Sequence, residues 1–219
     1  MKKFFEELSR RLREGGIESS NVEDKRLEVF LHGRPVLFVS PGHDAFLLPA
    51  GSQNQKASEL YHRVAGMADE VYEYVEAVQN APLLRASSLK DEFHLLADFG
   101  GAVLAGIELP KEWGYQFNTW IWNYDRTALL YGHNYMGDFQ SAKQDFAVRS
   151  GLISKAQLFS PEELTELYRG TDYLLDEGPE LEDVQLKALQ TARTKIEYTV
   201  PDLTDRLEQG QEQEPQMDM

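Results

Sequence analysis

Five histidines, His32, His43, His62, His94 and His133, are the side chains best suited to metal binding or proton transfer near neutral pH. His43-Asp44 is the most suggestive pair, because adjacent His and Asp hold a metal in some phosphohydrolases. That chemistry needs further His and Asp ligands, and none stands at a matching position. The pair follows Ser40-Pro41-Gly42 and also reads as an Asx-type turn. His94 and Asp98 are four apart in a stretch that reads as strand, which places both on one face without contact. Glu162-Glu163 falls in the first turn of a helix, where carboxylates complement the macrodipole. P-loop, dinucleotide-binding, H-E-x-x-H, G-x-S-x-G and EF-hand patterns are absent. Cysteine is absent too, which removes disulfides, zinc-thiolate sites and thiol nucleophiles. These residues argue against an enzyme, and no cofactor or metal is expected. A metal-dependent hydrolase with a scattered site around His43 and Asp44 stands as an alternative.

Aromatic residues concentrate between Trp113 and Tyr135. Period-two alternation places Leu129, Tyr131, His133 and Tyr135 on one face. Aromatic strands serve as stacking platforms for single-stranded nucleic acid, but Lys and Arg normally interleave them, and Arg126 is the only one here. Packing or an interface around Trp120 and Tyr131 fits better, with self-association as one outcome.

The acids are more informative. The 219 residues carry 37 acidic and 22 basic side chains, a net charge of −15, and the pI is near 4.7. Direct contact with nucleic acid or an anionic membrane needs a basic footprint and is not expected. The last 48 residues alone carry a net −9. Asp176, Glu177, Glu180, Glu182 and Asp183 are its densest run, and Asp69, Glu70, Glu73 and Glu76 form a second cluster. Carboxylates three or four apart on a helix stand roughly 5–6 Å from each other. Such rows can imitate a phosphate ladder, although acidic surfaces also serve solubility alone.

The elements that position these residues follow from periodicity. Phe4, Phe5, Leu8 and Leu12 predict a first helix ended by Gly15-Gly16. The runs 27–31 and 35–39 flank His32-Gly33-Arg34 and predict a hairpin, with 46–48 as a short third strand. Residues 55–79 carry the clearest helical stripe, 92–135 read as strands, and 138–150 as a helix capped by Asp138. Ser160-Pro161-Glu162-Glu163 opens another helix, 180–198 a further one, and 203–207 a short amphipathic turn. Strands and helices fall in runs, which predicts an α+β fold with antiparallel hairpins packed against helices. The expected division is an α+β core over 1–157, an acidic helical layer over 158–208 and a disordered tail over 209–219. No stretch is long and apolar enough for a membrane span or secretory signal, so a cytoplasmic location is expected.

The run Tyr115 to Trp120, then Tyr131 to Tyr135, then Ala142 to Ile153 (Ala-Lys-Gln-Asp-Phe-Ala-Val-Arg-Ser-Gly-Leu-Ile) resembles uncharacterised accessory proteins of conjugative elements in Gram-positive gut bacteria. In those proteins an aromatic strand pair leads into a helix with this ending. The resemblance spans residues 115–153 and implies a context, not catalytic residues. Mobile elements carry small acidic proteins that block restriction or CRISPR nucleases. The leading expectation is therefore a non-enzymatic binding protein whose acids dock on a basic, nucleic-acid-binding partner.

Overall fold

The computed structural model describes residues 2–20, 25–49, 51–52, 54–110, 112–200 and 202–211. The fold is α+β, and the chain divides into two compact units, Met1–Ile153 and Ser154–Met219.

The first unit opens with α1 (Lys2–Glu14), whose buried stripe is Phe4, Phe5, Leu8 and Leu12. Gly16 ends it in the left-handed region at φ 69°, and the Ile17 N–H donates back to the Leu12 carbonyl at 2.8 Å. β1 (Leu27–Leu31), β2 (Arg34–Val39) and β3 (Ala45–Leu47) form an antiparallel sheet in that order. Its first turn is His32-Gly33, both at positive φ, as a two-residue type I′ hairpin requires. α2 (Gln55–Asn80) is the central helix, capped by the Asn54 side chain. It buries Ala57, Leu60, Val64, Ala68, Val71, Tyr74, Val75 and Val78. β4 (His94–Phe99), β5 (Ala102–Glu108), β6 (Tyr115–Trp122) and β7 (Leu129–Met136) make a four-stranded antiparallel meander. α3 (Phe139–Arg149), capped by Asp138, follows.

One core joins α1, α2, α3, the first sheet and the odd-numbered face of β6. A second, smaller cluster, Leu84, Phe93, Val103, Ala105 and Leu129, fills the opposite face of the four-stranded sheet. Two bulges decide which side chains reach which face. One falls in β4 between Leu95 and Ala97, the other opposite Trp120 in β7. Each added residue reverses the alternation beyond it.

The second unit is helical. A single 3-10 turn (Lys155–Gln157) precedes α4 (Pro161–Asp176), α5 (Asp183–Thr199) and α6 (Leu203–Gln211). Ser160 and Glu163 form the expected capping box. Its core is Tyr168, Ile196, Val200 and Leu203, with Leu164 and Leu207 packed against them. The expected amphipathic turn at 203–207 is thus a nine-residue helix. Residues 209–211 lie within its bounds, and the remainder of the expected tail lies outside the described residues. Among the described residues no helix is long and apolar enough to cross a membrane.

Candidate functional site

The two acidic clusters meet different surroundings. On α2 every carboxylate of interest has an intramolecular partner. Asp69 Oδ1 lies 2.8 Å from His43 Nδ1, whose ring stacks on Tyr72 at 4.3 Å. Glu70 lies 3.8 Å from an Arg11 guanidinium nitrogen, and Glu73 accepts from Lys143 Nζ at 2.7 Å. Glu76 accepts from the Asn80 amide at 3.1 Å. Glu70 is half-buried, and desolvation raises its pKa above the ordinary glutamate value against the opposing pull of Arg11. These side chains tie α2 to the turn at His43, to α1 and to α3. They do not form an unmatched row of charge.

The second cluster has no such ties. Asp176 ends α4, Glu177 caps it, and after Gly178-Pro179 come Glu180, Glu182 and Asp183, with Glu182 as N-cap of α5. All five are exposed. Among the described residues Asp176, Glu177, Glu180 and Asp183 have no ion-pair partner. The three arginines of this unit pair elsewhere: Arg193 with Asp172 and Glu197, Arg206 with Glu162 and Asp202, Arg169 with Glu166. Asp183 suits the positive N-terminal end of α5. Asp176 and Glu177 oppose the negative C-terminal end of α4. Their placement therefore concentrates negative field at this elbow at a cost to the helix. Tyr173 and Val184, on either side of it, are 60% and 77% exposed, and Leu174 is exposed beside them. The arrangement offers carboxylates and apolar contacts together.

The aromatic strands are mostly packing. Trp120 is half-buried, edge-on to Phe93 with centroids 5.0 Å apart. Tyr131 is 76% exposed and stands at φ 53° in the β7 bulge. Trp120 and Tyr131 thus share no open platform. Leu129 faces the smaller cluster, whereas His133 and Tyr135, beyond the bulge, face the other side with Thr119 and Phe117. The expected single face of Leu129, Tyr131, His133 and Tyr135 does not exist. The β4 bulge likewise separates His94 from Asp98. His94 pairs with Gly106, while Asp98 accepts from Trp122 Nε1 at 3.0 Å and pairs with Arg126.

His43 bonds Asp69, and Asp44 is exposed apart from that pair. Among the described residues no three His, Cys, Asp or Glu gather to hold a metal ion. The hydrolase reading finds no ligand set around His43 and Asp44.

Two polar clusters escaped the sequence. Asp145 on α3 accepts from Thr119 Oγ1 and lies 3.2 Å from His133 Nδ1. Arg149, one turn on, donates to Thr119 Oγ1 at 2.8 Å and to the Tyr131 carbonyl, fastening α3 to the bulge. Glu7 on α1 is almost fully buried. It takes Arg10 in a two-pronged pair at 2.6 and 2.8 Å and accepts from Tyr74 Oη at 2.6 Å. Burial, then the Glu7 charge, drives the Tyr74 hydroxyl far above the ordinary tyrosine range. Both clusters satisfy their own charges and act as clamps. Their signal in sequence is weak: only the position of Glu7, next to Leu8 and one turn from Phe4, marks it as unusual.

No family model matches the chain, and no curated protein or solved structure matches it.

Proposed function

We propose that this chain is a non-enzymatic acidic binding protein that docks on a basic protein partner through the α4–α5 elbow. The observation that carries this reading is the set Asp176, Glu177, Glu180 and Asp183, exposed without ion-pair partners among the described residues and flanked by exposed Tyr173, Leu174 and Val184. Unpaired charge gives steering and specificity, while apolar side chains supply contact energy once the surfaces meet. The α2 acids, each held by its own chain, take no part in this reading. The resemblance of residues 115–153 to accessory proteins of conjugative elements directs the choice of partner to nucleic-acid-binding nucleases of host defence. A basic nuclease groove that accepts phosphates would accept the elbow's carboxylates in their place.

The test is protection of plasmid DNA from purified restriction and CRISPR nucleases. Protection should appear at low salt, weaken as salt rises, and vanish in a variant carrying D176N, E177Q, E180Q and D183N. Protection that survives these four substitutions would remove the elbow from the mechanism. No protection by the wild-type chain against either class would overturn the nuclease reading.

A further inference from the structure

Both sheets have edges, and three of the four are closed or short. β1 is covered by residues 18–20, through Ser20 N–H to the Glu28 carbonyl at 2.8 Å and Phe30 N–H to the Glu18 carbonyl at 2.9 Å. β4 is covered by residues 82–84, through Leu84 N–H to Phe93 at 2.7 Å and Leu95 N–H to Pro82 at 2.8 Å. β3 is three residues long. β7 is eight residues long, and every residue after Leu129 is exposed except the half-buried Tyr135.

The Gly137 N–H donates to the Tyr115 carbonyl at 2.9 Å, which makes Gly137–Tyr115 a hydrogen-bonded pair. By antiparallel alternation, Tyr135–Phe117 and His133–Thr119 are bonded pairs too. The N–H and C=O groups of Asn134 and Met136 then point away from β6. Arg149 holds the Tyr131 carbonyl, and the bulge there ends the regular run, so the open stretch is Gly132–Met136. Natural edges of this kind are commonly blunted by lysine or proline, and β7 contains neither, nor any acidic residue.

We propose that two copies of this chain pair antiparallel through β7, edge to edge, around a two-fold axis. A strand that pairs with itself presents the same row of donors and acceptors to its copy, which closes the interface. Charge selects the same occupant. In a chain of net charge −15, this uncharged strip is where two copies approach with least repulsion, and it offers no charge complement to an acidic or basic peptide. The proposal concerns a different surface from the elbow and does not depend on it.

Sedimentation equilibrium over rising concentration tests it. The wild-type mass should move from 25.0 kDa towards twice that value, and dimerisation should strengthen with salt as repulsion between copies is screened. That salt response is opposite to the one expected of the elbow, so the two readings fail separately. N134P removes one outward N–H without a partner in β6 and should leave a monomer with unchanged tryptophan fluorescence. M136K, which keeps the backbone intact, should do the same if N134P fails to fold. A wild-type chain monomeric at its highest soluble concentration in ~0.5 M salt would overturn the proposal. So would a dimer that both variants leave intact.

Discussion

Asp69, Glu70 and Glu73 on α2 and Asp176, Glu177 and Glu180 at the α4–α5 elbow carry the same chemistry in two settings. The first three face a histidine, an arginine and a lysine of their own unit and help fasten α2 to its neighbours. The elbow acids face solvent, and two of them stand at the wrong end of a helix dipole. The same contrast extends to packing. The first unit buries a continuous core from three helices and two sheets, whereas the second rests on Tyr168, Ile196, Val200 and Leu203. Acidity alone therefore assigns no role. An acid is engaged by its own chain where a cation has been placed beside it, and is available to a partner where none has.

The largest effect should come from the Glu7 clamp between α1 and α2. E7A leaves the Tyr74 hydroxyl without its acceptor and the nearly buried Arg10 guanidinium with Glu14 as its one remaining carboxylate among the described residues. Loss of about 3–5 kcal/mol of stability is expected in urea titrations followed by tryptophan fluorescence. Next comes I196A, which removes a methyl-rich side chain from the thin second core and should cost about 2–5 kcal/mol there. Trp113, Trp120 and Trp122 all belong to the first unit, so helical circular dichroism should fall while tryptophan emission holds. Simultaneous loss of both signals would show that the two units unfold as one.

How much of this was legible in the sequence depended on whether periodicity ran uninterrupted. α1, α2 and the Ser160 capping box follow from stripes and caps within one element, and the structure places them as the residues predict. Faces in the four-stranded sheet do not follow from alternation because a bulge is one extra residue with no fixed signature. Leu129 and His133 fell on opposite faces for that reason, as did His94 and Asp98. Glycine next to Tyr131 was a hint, since a Cβ at Gly132 would lie 2.5 Å from Trp120 Nε1. The acidic clusters were visible as composition, but their partners were not. His43, Arg11 and Lys143 come from elsewhere in the chain, and only tertiary packing brings them to α2.

Smaller effects separate Glu73 from the elbow acids by sign. E73Q gives up the bridge to Lys143, half-exposed on the glutamate side, and should lower stability by about 0.2–1 kcal/mol. D176N with E177Q removes charge from the negative end of α4 and should raise the second unit's stability, by an amount that shrinks with salt. Equal signs for the two experiments would erase the distinction. The smallest effect belongs to Glu70. Burial raises its pKa in the folded chain, so its contribution to stability is fully present below the ordinary glutamate pKa and is lost as pH rises through the raised one. E70Q should therefore stabilise the chain at pH 7 relative to wild type, and the gain should vanish in acid. Chemical denaturation at the two pH values reads it directly.

The measurement closest to the central claim is a titration of the ¹⁵N-labelled full chain with a synthetic basic amphipathic peptide, lysine and leucine at helical spacing. Amide shifts should concentrate in residues 173–186 around the elbow, fade with added salt, and disappear in the D176N/E177Q/E180Q/D183N variant. Shifts centred on residues 69–76 of α2, or an unchanged response in that variant, would contradict the account.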